Sequence, residues 1–556
     1  MRETLKSKFI SALEKCREKE DFNSKAEIKK LSLFKNEHQS VQLLIFEQDG
    51  SIGTRIISKI EVESELKECV NIRNVEQVYV AMPVANGCGD DDYISKEPGA
   101  FPDLLTPLRY GNSAIIPPKR LICLWIDIKP DGKYNGGEYP LTVKLYSESG
   151  DELYTESTME IEIIDALLPE TDRLYTQWFY VDCLADYYNV PIWSERHWEI
   201  IENYVTAAVA GGINMILTPV FTVPLDTKVG GERPTAQLVD VKLQNGEYAF
   251  GFSRLDRYID MLLRHNVKKI EMSHLFTQWG AAHAPKIVAT VDGKEKKIFG
   301  WETNSSGEEY IKFLREFLPA LFSYLDKKGV KDMCVFHISD EPHISHLETY
   351  MKAKAGIEDL LRGVTVIDAL SDYDFYKTGA VATPVPACDF IEPFVKNGVK
   401  PLWTYYCCVQ TKEVPNRFVA MPSARNRISG VLEYIYDIKG FLHWGFNFYY
   451  NRFSDALLNP YADCCGDYFV PAGDAFSVYP KADGTALDTI HFLVFKHSRE
   501  DIRAMELLES LTSKKHVMSL VNEGIDYEMS FKKYPKGEDY ILTLREKINA
   551  EIKKRI

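Results

Sequence analysis

Nowhere does the chain run the ~18 consecutive apolar residues that a bilayer-crossing helix needs, so no membrane insertion is expected. Its opening residues are dense in charge, with Glu14, Lys15, Arg17, Glu18 and Glu20 close together. They lack the apolar core of a secretory leader. Cysteine is present but unorganised: eleven residues, an odd number, with no Cys-x-x-Cys pair. The vicinal pairs Cys407-Cys408 and Cys464-Cys465 are poorly placed to staple distant segments. Reduced thiols and a cytoplasmic location are therefore expected. Excess positive charge is missing too. A net charge of -15 opposes binding to nucleic acid or to an anionic membrane.

Several signatures of chemistry are absent as well. No strand is followed by a Gly-rich phosphate loop, which argues against a doubly wound nucleotide-binding sheet. There is no Gly-x-Ser-x-Gly elbow and no Cys–His signature, so acyl transfer through a protein nucleophile has no support. A metal-dependent amidohydrolase barrel would end its first strand in His-x-His. Here that strand reads Tyr175-Thr176-Gln177-Trp178-Phe179. His274, His283, His337, His343 and His346 are thus not read as a metal site, and no cofactor is expected. Low-complexity segments and solenoid-period repeats are lacking too.

What remains is an ordinary globular composition, 45% hydrophobic and 26% charged, over 556 residues, enough for two or three domains. Residues 1–168 carry β-branched and aromatic runs at 41–46, 120–128, 139–146 and 159–164. Turns such as Pro130-Asp131-Gly132 separate them, and the sum is an N-terminal β-sandwich. Over 169–487 short apolar strands alternate with helical stretches, and eight strand candidates can be placed, the sixth (381–387) the weakest. That order predicts a catalytic (β/α)8 barrel within an α/β protein. Residues 488–556 read as a C-terminal helical segment packing on the barrel. Two long connections, 221–253 and 276–307, follow strands two and three, on the side where barrels build active sites.

The sharpest local signal is Val335-Phe336-His337-Ile338-Ser339-Asp340-Glu341-Pro342. An apolar strand, the fourth, ends in two adjacent carboxylates before a proline that cannot continue a ladder. Their repulsion raises the pKa of one and leaves the other ionised, the division of labour that glycoside hydrolysis requires. An Asp cap with a first-turn Glu would look the same in isolation. Aromatics are the second signal. Seven of the eight Trp lie between 178 and 444, and Trp178, Trp279, Trp403 and Trp444 sit at strand ends. Sugar rings pack their C–H faces on such planes.

Read together, these stretches resemble glycoside hydrolase family 123, the β-N-acetylgalactosaminidases. The resemblance rests on Asp182-Cys183-Leu184-Ala185-Asp186-Tyr187-Tyr188, Ser273-His274-Leu275-Phe276-Thr277-Gln278-Trp279-Gly280-Ala281 and Phe299-Gly300-Trp301. It continues in His337 to Pro342, Leu402-Trp403-Thr404-Tyr405-Tyr406-Cys407 and Gly440-Phe441-Leu442-His443-Trp444-Gly445. It implies a retaining mechanism in which the substrate's 2-acetamido carbonyl attacks the anomeric carbon. Glu341 would be general acid and then base, and Asp340 would orient the acetamido group. Tyr405, by position, would donate to the acetamido oxygen. Trp403, Trp444, Asp182, His274, Trp279 and Asn447 complete the expected substrate contacts, and the partner is a glycan ending in N-acetylhexosamine. Three alternatives stay open: a β-N-acetylglucosaminidase, a two-carboxylate retaining glycosidase, and a non-catalytic glycan-binding barrel. The second usually has Asn-Glu-Pro ending strand four and a Glu ending strand seven, where this chain has Asp-Glu-Pro and Trp403-Thr404-Tyr405-Tyr406. Oligomeric state and aglycone are not legible.

Overall fold

The computed structural model describes residues 2–51 and 53–556. The N-terminal part is two five-stranded sheets packed face to face. One runs Leu5–Ser11, Gln39–Glu47, Leu121–Ile128, Val70–Val80, Gly99–Pro107. The other runs Lys30–Phe34, Leu153–Ile164, Gly137–Tyr146, Ile56–Glu63, Ser113–Ile116. Alternation drives the packing. Leu141, Val143 and Leu145 point inward from one strand while their neighbours stay partly exposed. They meet Leu43, Ile45, Leu124 and Ile126 of the facing sheet in one core.

Eight short strands then form a single parallel sheet. We label them β1 (Leu174–Gln177), β2 (Met215–Thr218), β3 (Lys269–Met272), β4 (Cys334–Phe336), β5 (Thr365–Ala369), β6 (Thr383–Val385), β7 (Leu402–Tyr405) and β8 (Ile438–His443). From β1 to β6 each strand pairs with the next, β7 pairs with β8, and β8 lies between β1 and β7, which leaves β6 and β7 as the two edges. The sheet curls into a nearly closed barrel. Just past β6 a parallel bridge joins Ala387 to Tyr405, with Tyr405 N–H on Pro386 O (3.1 Å) and Cys388 N–H on Tyr405 O (2.8 Å). All four residues of β2 and of β7 are buried, as expected of strands covered on both faces. Helices such as Glu195–Ala210, capped by Ser194 Oγ on the His197 N–H (3.2 Å), cover the outside.

The two long connections contain structure that the strand count passes over. Each holds a hairpin, Asp240–Gln244 with Glu247–Gly251 and Ile287–Val291 with Lys294–Phe299. The hairpins join through a parallel pairing into one four-stranded sheet beside the barrel mouth. Their turns are Asn245-Gly246 (φ 55° and 83°) and Asp292-Gly293 (φ 51° and 77°). Both residues of such a two-residue turn need positive φ, which Asn, Asp and Gly tolerate. After β4 a 3-10 turn at Ile344–His346 leads into the short helix Leu347–Ala355.

After β8 the chain returns as the long helix Ile490–Leu511, which packs on helix Ser423–Ile435 and lays Phe495 on Tyr175 of β1. The last helix, Glu538–Lys553, is tied in by buried charge. Arg545 bonds both Asp501 (2.9 Å) and Glu37 of the N-terminal part, while Asp501 also takes two bonds from Arg427 (2.7 and 2.9 Å). No described helix is long and apolar enough to cross a membrane.

Candidate active site

The carboxyl pair lies where β4 gives out. Past Phe336 the backbone of 337–341 has no ladder partner, so its polar groups find others. Carbonyls of His337, Ile338 and Asp340 accept from the N–H groups of Leu275 (3.1 Å), Phe276 (3.1 Å) and Trp279 (2.8 Å). Ser339 Oγ donates to Thr277 O (2.8 Å) and accepts from the Ala281 N–H (3.1 Å). The segment is thereby stitched to the loop after β3. That loop itself is bent hard: Trp279, Gly280 and Ala281 have φ of 59°, 103° and 58°, and a Cβ at Gly280 would strike His346. Glu341 is likewise left-handed at φ 43°. A non-Gly residue held so costs about 1–3 kcal/mol and persists only where its surroundings over-determine it.

Tyr405, at the end of β7, donates its hydroxyl to Glu341 Oε1 and lies 3.3 Å from Ser371 Oγ. Burial, then repulsion from Glu341, Asp226 and Asp368, pushes the Asp340 carboxyl well above the usual carboxylate range. Glu341 has an open edge at the mouth. Protein atoms crowding its carboxyl raise its proton affinity, against the pull of the Tyr405 hydroxyl. The pair as a unit therefore keeps a proton at higher pH than an ordinary carboxylate would.

Two further carboxylates in the mouth were not singled out from sequence. Asp226, in the loop after β2, lies 2.9 Å from the Tyr180 hydroxyl, which is also 2.9 Å from Trp444 O. Its N–H donates to Gln278 Oε1 (2.8 Å), and burial pushes its carboxyl up to about 6. Asp474 accepts from Trp444 Nε1 (2.8 Å) and lies 3.2 Å from His443 Nε2; burial pushes it up to about 7. Asp226 and Asp474 sit in long loops without strand periodicity, so nothing local marks them.

Of the expected site residues, Asp340, Glu341, Tyr405 and Trp279 come together, and Trp444 borders the same mouth through Tyr180 and Asp226. Trp279 is the one Trp among the exposed large apolar side chains (47% exposed). His274 lies beneath, stacked on His337 (4.3 Å) and edge-on to Trp178 (5.3 Å), with neither ring nitrogen partnered among the described residues. Burial, with His337 beside it, holds His274 neutral. The other three belong to the frame. Asp182 is buried in a two-bond pair with Arg233 (2.7 and 2.9 Å). Asn447 holds the backbone N–H and C=O of Tyr180 (2.9 and 3.0 Å). Trp403 is buried against Gly440, where a Cβ would collide with its ring. The polar groups of Asp182 and Asn447 are already taken up, which leaves a sugar little to bind there.

Residues 178–508, well over half of the chain, match the family model described as glycoside hydrolase 123, catalytic domain. The protein is thus an enzyme that hydrolyses glycosides. It belongs to glycoside hydrolase family 123. Among solved structures, a family 123 glycoside hydrolase from Clostridium perfringens, studied for glycolipid glycan hydrolysis, is 15% identical. It covers 99% of this chain and 97% of its own at a TM-score of 0.72, which shows a shared fold. A β-glucuronidase from Ruminococcus gnavus is 9% identical, covering 82% of this chain and 66% of its own, with a TM-score of 0.30, too low to carry an argument. Among curated proteins, none matches the chain.

Proposed function

We propose that the enzyme is a retaining exo-glycosidase that removes terminal β-linked N-acetylgalactosamine, the substrate's own acetamido oxygen acting as nucleophile. The observation that carries this reading is the Asp340-Glu341 pair, two adjacent carboxyls on one strand end with Tyr405 bonded to Glu341. Neighbouring residues of one turn are badly placed to flank a sugar ring from its two faces, as a two-carboxylate enzyme does at a separation of about 5–5.5 Å. They suit a task in which one protonates the leaving oxygen and the other holds the acetamido group. Glu341 would be the acid and then the base that activates water, and Asp340 the carboxylate that orients the acetamido N–H. Tyr405, released from Glu341 by substrate, would donate to the acetamido oxygen. The exposed Trp279, tethered to the Asp340 carbonyl, would stack on the sugar or its aglycone. The Clostridium relative's action on glycolipid glycans makes a glycolipid headgroup a reasonable natural substrate.

Asp226 keeps a second reading alive, because it faces the pair from another loop and could serve as a protein nucleophile. One comparison separates them. Aryl β-N-acetylgalactosaminide should be turned over and the matched plain β-galactoside should be essentially inert. Comparable rates on both would move the nucleophile to Asp226. Preference for the gluco epimer would make the enzyme a β-N-acetylglucosaminidase.

A further inference from the structure

The catalytic segment is held from two sides, and only one of them is the β3 loop. On the other side stands Asp368 of β5, fully buried, whose Oδ1 accepts the N–H groups of both Ile338 (2.9 Å) and Ser339 (3.2 Å). Its other oxygen accepts the Tyr350 hydroxyl (2.5 Å). These two N–H groups are the last before Asp340, and β4 has already ended, so no neighbouring strand can take them. Left unpaired in the buried barrel, each would keep the full desolvation penalty of an N–H group without a partner, and the segment would turn to find other partners. His337, on the same turn, has its Nε2 2.8 Å from Glu271, and Glu271 also takes Thr176 and the Trp178 indole N–H (2.9 Å). Carbonyls of the segment therefore face one loop and its N–H groups face one side chain, and together they set where Asp340 and Glu341 point.

We propose that Asp368 is a positioning residue for the carboxyl pair. It acts through the backbone of Ile338 and Ser339 rather than on the sugar. A displacement of about 1 Å at a reacting group is enough to cost on the order of 10²-fold in rate. The proposal rests on the reading of Asp340-Glu341 as the reacting groups.

The test is steady-state kinetics on aryl β-N-acetylgalactosaminide, with thermal melting alongside. Asp368→Ala should lose on the order of 10²-fold in kcat while KM changes by less than about threefold, since the sugar is not touched. Asp368→Asn keeps an oxygen for the two N–H groups and should recover at least ten times the alanine variant's kcat. It also removes a like charge beside Asp340. That lowers the pair's proton affinity, so the alkaline limb of kcat should shift to lower pH. The other groups facing Asp340, namely Glu341 and Asp226, are unchanged in that variant. A folded Asp368→Ala with native kcat overturns the proposal. So does an Asn variant as slow as the Ala one, or a loss confined to KM. Should Asp368→Ala fail to fold, Tyr350→Phe decides: a fall in kcat at constant KM supports the clamp, and a native kcat removes it. A wild-type enzyme inert on every N-acetylhexosaminide would fault the functional reading instead.

Discussion

Replacing Arg233 tests whether Asp182 serves the fold or the substrate. The two side chains are 1% and 4% exposed, and they meet through Nε and a terminal nitrogen on the two carboxylate oxygens at 2.7 and 2.9 Å. Arg233 also donates to Leu225 O (3.2 Å) and lies over the rings of Tyr180 (4.7 Å), Tyr450 (5.5 Å) and Phe448 (5.7 Å). Arg233→Met keeps much of that packing but strands a buried carboxylate, which costs about 3–5 kcal/mol, against ~0–1 kcal/mol for a surface pair. At about 1 °C per kcal/mol for a chain of this size, melting should fall by roughly 3–5 °C. Asp182→Asn should be milder in stability and should leave KM near the native value. Asp182→Leu combined with Arg233→Met should recover much of the loss, because a matched apolar pair no longer strands a charge. Differential scanning fluorimetry with parallel KM determination reads all three. If Asp182→Asn raises KM tenfold with native melting, the carboxylate faces sugar and the frame argument fails.

Under the proposed mechanism, Glu341 and Asp340 should separate by leaving group. Glu341→Gln should retain more activity on a nitrophenyl glycoside than on a natural oligosaccharide, since a good leaving group departs unprotonated, whereas Asp340→Asn should impair both by similar factors. Each loss should be on the order of 10²-fold or more, and the opposite dependence would reverse the roles. Asp226→Asn removes one of the negative charges that raise Asp340, so the pair should lose its proton at lower pH and the alkaline limb of kcat/KM should move down. An unmoved limb would place Asp226 outside the field of the pair. Prolonged EDTA treatment should leave the rate unchanged; loss restored by zinc or another divalent ion would reverse that expectation.

Much of this was legible along the chain, because a barrel repeats a local signal. Short apolar strands, capped helices and their order are written in nearest-neighbour chemistry, and the count of strands places Asp340 and Glu341 after the fourth. The hairpin turns Asn245-Gly246 and Asp292-Gly293 were equally visible, and a reading for βα order alone treats them as loop. Asp368 carried a recognisable mark too, a carboxylate near the end of an apolar strand, the same mark that drew attention to Asp340.

What a side chain bonds to is another matter. Asp182, Asn447 and Trp403 lie in stretches as suggestive as those around Tyr405, yet their contacts are Arg233, the Tyr180 backbone and Gly440. Tyr405 reaches Glu341 across 64 residues of chain, and Tyr180 reaches Asp226 across 46. Local sequence determines which way a strand or helix presents its residues. Only the closing of the barrel decides which of those residues meet, because the partners arrive from loops whose conformations are set by the packing beneath them.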